Sequence, residues 1–259
     1  MGNRNIACVA LLASLACSCF LLAHAATNSG QSKGDTATRT SDLSGVWVQD
    51  AAHAVRPDWL DSQGKRLEEL PFTAWGREQF KSNRATHGSN QVASMTSTEP
   101  IVKCLPPGVP AIYMFVFPME VIQIPGRVIM FYEYGNYVRQ IFTERREHQI
   151  LTPTWMGDSI GRWEGDTLIV DANGFNDKTW IDNEGHPHSD ALHVVERIRR
   201  VDHDHLMNEI TVEDPKTYTK SFTAKRIYDL KPDWNIAEFV CEDNGVFLEY
   251  EKKAGEEKK

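Results

Sequence analysis

Short runs of β-branched and aromatic residues, separated by turn residues, fill the chain from Ile112 onward, and this pattern constrains the fold most. Such spacing is typical of antiparallel sheets, and the pair Gly135 and Asn136 is a two-residue hairpin signal. We predict a meander of about ten strands. The predicted strands are residues 43–47, 113–117, 121–124, 128–134, 137–142, 160–163, 167–171, 192–201, 207–212, 218–228 and 234–241, with a further candidate at 246–250.

A closed sheet is favoured over an open sandwich, because closure removes the exposed edges at which strands aggregate. We therefore predict an all-β fold in which the antiparallel meander closes into a β-barrel. One short helix is predicted in the N-terminal part of this domain, since Thr73 can cap a segment that continues through Trp75 and Phe80. Residues 82–110 are rich in Ser, Thr, Asn and Pro and are predicted to form a long loop.

The first 25 residues have the pattern of a cleavable secretory signal. Arg4 precedes an apolar run over residues 6–23, and Ala23 and Ala25 form a small-x-small cleavage site. A lipoprotein signal is the alternative, because Cys17 and Cys19 lie in the apolar run. The sequence thus predicts a periplasmic or secreted protein with a signal peptide at 1–25, a flexible leader at 26–42, one β-barrel domain at 43–250 and a charged tail at 251–259.

Charge limits the partners that this chain can have. The sequence contains 28 Lys and Arg against 36 Asp and Glu, a net charge of −8. Such a chain does not attract nucleic acid or an anionic membrane, and no second apolar run is long enough to be inserted into one. The predicted partner is a small-molecule ligand or substrate, whereas the sequence leaves the oligomeric state unknown.

The predicted mature chain contains two cysteines, Cys104 and Cys241, because the other three lie in the signal segment. An isolated pair in an oxidising compartment is expected to form one disulfide. The alternative is two separate buried thiols.

Residues 155–200 are unusually rich in Trp, His and Asp and are the best candidate for a site. The segment 172–190 is longer than a hairpin needs, and it mixes polar groups with Phe175 and Trp180. Such a loop suits a lid over the mouth of a barrel, where ligand pockets form.

Three histidines, His186, His188 and His193, fall within eight residues. They suit either a divalent metal or a general base that a carboxylate orients. Because His193 and Glu196 lie on opposite faces of a regular strand, the partner of His193 is expected from another strand or the loop, for example Asp171, Asp158 or Asp190. The alternative for each histidine is a structural or solvated residue.

Three long motifs resemble a widespread group of secreted bacterial proteins of unassigned function. They are the segments 155–171 (WMGDSIGRWEGDTLIVD), 174–180 (GFNDKTW) and 187–197 (PHSDALHVVER). The resemblance extends over most of the mature chain and implies a lipocalin-like β-barrel, without implying a reaction. Where the first motif is expected to have His, this chain has Asp158.

These observations predict a β-barrel enzyme that acts on a small apolar or aromatic molecule by His and Asp acid–base chemistry, of hydrolase, lyase or isomerase type. A lipocalin-like carrier without catalysis is the alternative, but an apolar carrier has little use for titratable groups that cost free energy to bury. No cofactor is certain, since no glycine-rich phosphate loop follows a strand. The predicted catalytic residues are His188, His193 and Asp171, and the predicted ligand-binding residues are Trp155, Asp158, Asn176, Trp180, Asp190 and Arg197.

Overall fold

Nine strands follow one another around a closed barrel in the computed structural model, which describes residues 42–49, 58–149 and 151–241. The predicted all-β barrel with one short helix is confirmed. The predicted signal, most of the leader, the tail and the candidate strand at 246–250 lie outside the described residues. The strands are β1 Gly45–Gln49, β2 Met119–Ile124, β3 Arg127–Tyr132, β4 Tyr137–Phe142, β5 Asp158–Glu164, β6 Thr167–Asn173, β7 His193–Arg200, β8 His205–Glu213 and β9 Phe222–Leu230.

Each strand is antiparallel to its neighbours, with one exception. Strands β4 and β5 are parallel, and their register pairs Ile141 with Ser159 and Phe142 with Ile160. Because parallel neighbours need a connection outside the sheet, residues 143–149 and 151–157 lie outside the barrel wall between these two strands.

Alternation along the strands decides which side chains reach the interior. In β6, Leu168, Val170 and Ala172 are fully buried, whereas Asp171 between them is partly exposed. The same holds for β7, where Val194 is buried and His193 is partly exposed. Asp171 and His193 therefore lie on the outer wall of the barrel.

The short helix α1, Ala74–Ser82, begins where the sequence predicts it. The side chain of Thr73 accepts a hydrogen bond from the backbone N–H of Gly76 at 3.0 Å, which satisfies one of the free donors of the first turn.

A 3₁₀ helix, Ala111–Met114, replaces the strand predicted at 113–117, so that prediction was wrong. The backbone N–H of Tyr113 donates to the Pro110 carbonyl at 3.0 Å, and this local bond takes the place of a bond to a neighbouring strand. All four residues of this helix are buried. The aromatic and apolar content of the run thus reflects burial against the barrel and not strand pairing.

Side chains from the wall and from the 3₁₀ helix fill the barrel interior. Arg139 of β4 forms an ion pair with Glu196 of β7 and donates a hydrogen bond to the hydroxyl of Tyr113. Asn208 of β8 donates to Glu196 at 2.9 Å, and Trp47 of β1 is also fully buried. The interior is therefore a packed core with a charged pair at its centre.

Residues 234–241 form no strand, contrary to the prediction, and Trp234 is half exposed. The segment is instead tied to the earlier chain by the Cys104–Cys241 disulfide, which confirms the predicted pairing. Within the described parts of the chain, no helix has the length and apolar character needed to span a membrane.

Candidate functional site

Two imidazole rings converge on one carboxylate on the outer wall of the barrel. His148 Nε2 lies 3.1 Å from Asp171 Oδ1, and His193 Nε2 lies 3.0 Å from the same oxygen. Asp171 stands in β6 and His193 at the start of β7, while His148 comes from the connection between β4 and β5. Of the three carboxylates that the sequence offers as partners of His193, Asp171 is the one in contact with it.

The second nitrogen of each ring faces a further carboxylate. His148 Nδ1 lies 2.9 Å from Asp158 Oδ2, and His193 Nδ1 lies 3.1 Å from Glu213 Oε2. A neutral imidazole has one N–H, whereas the imidazolium ion donates from both nitrogens. Hydrogen-bond contacts therefore connect Asp158, His148, Asp171, His193 and Glu213 in one row, which we call the carboxylate–imidazole cluster.

One end of the cluster is anchored and the other reaches solvent. The guanidinium of Arg145 donates to Asp158 Oδ2 at 2.6 Å, and it stacks over the Phe142 ring at 4.0 Å. Burial opposes the charged form of Asp158, but the hydrogen bonds from Arg145 and His148 outweigh it and lower the pKa of this carboxyl. At the opposite end, the side chain of Glu213 is 50% exposed.

A pocket of about 620 Å³ lies beside the cluster. Its volume is in the range at which proteins bind small molecules. We call it the arginine pocket. It is lined by Thr143, Arg145, Arg146, Ile160, Gly161, Arg162, Trp163 and Asp171. Three guanidinium groups against one carboxylate make the lining basic in a protein of net charge −8.

Asp171 is the residue that joins the cluster to the arginine pocket. Its Oδ1 atom is within hydrogen-bond distance of both imidazoles, and no residue in the described ranges hydrogen bonds its Oδ2 atom. The side chain is 38% exposed, so this second oxygen is accessible to a ligand in the pocket.

The residues predicted to line one pocket at the barrel mouth, namely His188, His193 and Asp171 with two tryptophans, contact different partners in the structure. The prediction left open which strand face is internal. Packing of the apolar residues of β6 and β7 fixes that choice and turns His193 and Asp171 outward. The two residues meet each other on the wall, whereas His188 is elsewhere.

His188 is buried in the loop between β6 and β7 with both ring nitrogens occupied. Its Nδ1–H donates to the Ser189 carbonyl at 2.9 Å, and its Nε2 accepts from the Thr179 hydroxyl at 2.6 Å. Burial lowers the pKa of this imidazole. The structure thus gives His188 a role in holding the loop, and it does not join His193 as the prediction supposed.

The predicted metal alternative of His186, His188 and His193 is also corrected. His186 Nδ1 donates to Asp182 at 2.6 Å, so the three rings face three different sets of partners. Within the part of the chain that the structure describes, no group of three His, Cys, Asp or Glu residues is arranged to hold a metal ion.

The other predicted ligand-binding residues are dispersed. The ring of Trp155 lies 6.0 Å from Lys178 Nζ, and Asn176 accepts from the backbone N–H of Lys178. Trp180 is buried and pairs with Pro187 within the loop. Asp190 is exposed and pairs with Lys216, and Arg197 is exposed near Glu164, so only Asp158 joins the cluster.

Sequence reasoning missed His148, Glu213 and Arg162. His148 stands among charged and polar residues with no periodic pattern, and only the parallel junction of β4 and β5 brings it to Asp171. Glu213 ends β8 directly opposite His193 in the register, so a correct pairing of the last strands would have found it.

No protein-family model matches the chain, and no curated protein matches it. The function is therefore argued from the geometry of the cluster and the pocket.

Proposed function

We propose that the protein is a periplasmic or secreted enzyme that performs acid–base chemistry on a small organic acid bound in the arginine pocket. The observation that carries this proposal is the convergence of His148 Nε2 and His193 Nε2 on Asp171 Oδ1, beside a basic pocket. A carboxylate between two imidazoles can take a proton from a substrate and pass it on.

Asp171 is the residue that contacts the substrate in this scheme. Its Oδ2 atom accepts the proton from a carbon or hydroxyl of the bound molecule. His193 then relays a proton between Asp171 and Glu213, which exchanges it with water because the side chain is half exposed. His148 is a positioning residue, since Asp158 and Arg145 hold it from behind.

The lining of the pocket indicates the class of substrate. Arg146 donates to the Thr143 carbonyl at 3.1 Å, and no carboxylate in the described ranges pairs with it. Arg162 is largely exposed and shares Glu164 with Arg197. These guanidinium groups suit a carboxylate or another oxyanion. Trp163 provides an apolar surface for the rest of the molecule.

The packed interior favours the enzyme over a lipocalin-like carrier. A carrier of this kind holds its ligand inside the barrel. Here Tyr113 and Met114 enter the barrel, and Trp47 and Met130 pack with them in the core. This packing supports a site on the wall instead of a ligand in the interior.

The proposal that the protein is exported and the proposal that it belongs to the secreted bacterial group rest on separate observations. A disulfide between Cys104 and Cys241 is typical of proteins outside the cytosol, which supports export. The long motifs in residues 155–197 support membership in the widespread secreted bacterial group that they resemble. Asp171 and His193 both lie within those motifs.

Solvent exchange tests the enzyme without knowledge of the product. The mature protein is incubated in D₂O with a panel of 2-keto, 2-hydroxy and aryl-substituted carboxylic acids, and NMR follows deuterium incorporation into each. At least one acid is expected to exchange far faster with the protein than without it. Asp171→Asn should abolish the exchange, and His193→Gln should slow it by about 10²–10⁴-fold.

His205→Gln is the matched control, because His205 is another strand histidine that faces a carboxylate, Asp202, on the surface. It should leave the rate unchanged. Arg162→Gln should raise KM with little effect on kcat. Absence of exchange across the whole panel, or equal loss in His205→Gln, would contradict the proposal.

A further inference from the structure

A second pocket, of about 430 Å³, shares no lining residue with the arginine pocket. His186 in its wall is hydrogen bonded to the buried Asp182, and the proposed function does not use this pair. The pocket is lined by Trp59, Arg66, Leu67, Glu68, Glu69, Leu70, Phe72, Phe80, Gly88, Ser89, Glu184 and His186.

Asp182 is fully buried and is held by several donors. Trp59 Nε1–H donates to Asp182 Oδ2 at 2.9 Å, and His186 Nδ1–H donates to the same oxygen at 2.6 Å. The backbone N–H of Glu184 donates to the other oxygen at 3.0 Å. Such a carboxylate fixes both the position and the tautomer of the imidazole that it binds.

The remaining nitrogen of His186 is available to a ligand. In the ranges that the structure describes, no residue hydrogen bonds Nε2 of this ring, although its side chain is only 12% exposed. The loop that holds it is close to α1, because Asn83 donates to the Gly185 carbonyl at 2.8 Å. The ring is therefore presented to the pocket by a tightly held segment.

Aromatic rings form the apolar part of this wall. His186 stacks on Phe80 with 4.8 Å between centroids and 12° between planes, and Phe72 stacks on Phe80 at 5.1 Å. Flat surfaces of this kind bind the face of another ring.

Charge around the pocket argues against an ionic ligand. Burial would lower the pKa of His186, but Asp182 outweighs it and raises that pKa, so the ring is cationic over a wider range of pH. A cationic ligand is repelled by this ring and by Arg66, which lines the same pocket. An anionic ligand faces the carboxylates of Glu68, Glu69 and Glu184, which line the same pocket.

We propose that this pocket binds a small uncharged ring compound that carries an oxygen acceptor, of the aromatic alcohol class. The ring lies against Phe72 and Phe80, and its hydroxyl oxygen accepts a hydrogen bond from His186 Nε2–H. This site is independent of Asp171 and of the proposed reaction.

A matched series of probes tests the site. Benzyl alcohol, benzoate and benzylamine share one ring and differ in charge, and each is titrated into the mature protein while NMR follows the imidazole signals of His186. The affinity of each probe for this pocket is taken from the concentration dependence of those signals, and benzyl alcohol is expected to bind here about tenfold more tightly than either ion. His186→Gln should weaken benzyl alcohol binding by about three- to tenfold, the effect of one hydrogen bond.

His205→Gln is the control, because it makes the same change at an exposed histidine that pairs with Asp202 outside both pockets, and it should leave benzyl alcohol binding unchanged. If His186→Gln fails to fold, the shift of the His186 signals in the wild-type protein still tests the contact. Equal affinity for the three probes, preference for an ion, or unchanged His186 signals at saturation would overturn the proposal.

Discussion

Arg139 in β4 and Glu196 in β7 form an ion pair across the barrel interior, and their side chains are 1% and 0% exposed. Burial would lower the pKa of Arg139, but Glu196 outweighs burial and raises it, so the guanidinium stays charged in the core. Removal of one partner leaves the other charge buried and uncompensated.

Glu196→Ala is therefore expected to lower the free energy of unfolding by about 3–5 kcal/mol, measured by urea denaturation. Glu209→Ala is the matched control, since Glu209 pairs with Lys225 at the surface and should cost less than about 1 kcal/mol. Similar losses in the two variants would contradict the central role of the buried pair.

The Cys104–Cys241 disulfide closes a loop with a sequence separation of 137. Because a disulfide across such a loop reduces the conformational entropy of the unfolded chain, it stabilises the folded state by up to about 5 kcal/mol. Cys104→Ser should lower the midpoint of urea unfolding accordingly. Thiol titration of the unreduced, unfolded mature protein should find no free thiol, and two free thiols would refute the bond.

His188 and His193 should differ in their effect on stability. His188→Ala leaves the Thr179 hydroxyl and the Ser189 carbonyl without their partner in a buried loop, so a loss of about 1–3 kcal/mol or more is expected. His193 is 33% exposed, and His193→Ala should cost less than about 1 kcal/mol. Thermal or urea unfolding of both variants measures the contrast, and an inverted order would contradict it.

The Asp182 and His186 pair predicts a pH dependence with a defined sign. Because the pKa of His186 is raised on folding, its protonated ring stabilises the fold at pH values below 6.5, the ordinary pKa of histidine. This stabilisation is lost as the pH rises through the folded-state pKa. Burial would raise the pKa of Asp182, but His186 outweighs burial and lowers it. The ionised carboxylate therefore stabilises the fold at pH values above 3.8, and this stabilisation is lost as the pH falls through the folded-state pKa.

The free energy lost in His186→Gln should therefore be greatest between pH 3.8 and 6.5 and smaller on either side. Urea unfolding of the wild type and the variant at a series of pH values measures the difference. His203→Gln, at an exposed turn, should show no such maximum. A difference that does not vary with pH would show that the pair does not stabilise the fold through its charges.

Export predicts that the mature chain begins at Ala26, following the cleavage site formed by Ala23 and Ala25. The intact mass of the protein recovered from the periplasm or the medium measures this directly. A lipid-modified N-terminal cysteine would contradict it.

Local pattern was sufficient for most of the barrel. The run 137–142 became β4 with the same ends, because alternating side chains and the Gly135 and Asn136 turn act within one hairpin. The run at 113–117 failed because a buried aromatic segment has the same composition whether it pairs or packs. Local periodicity does not distinguish the two.

The candidate site was predicted in part, since the contact of His193 with Asp171 involves adjacent strands. Its position on the outer wall depends on which face of each strand the apolar residues bury, and this requires the register of the whole sheet. The pairing of Asp182 with His186 was missed, although a spacing of four residues in one loop was visible in the sequence.

The parallel junction between β4 and β5 has a consequence for how the site arises. A closed ring of nine sequential strands cannot alternate direction at every step, because nine is odd, so one pair must run the same way. The chain has to turn back on the outside at that junction, and His148 lies on the returning segment. The odd number of strands thus requires the connection between β4 and β5 that places His148 against Asp171. An even-numbered relative of this barrel, with β5 entering by a tight hairpin, would have no segment there to carry one.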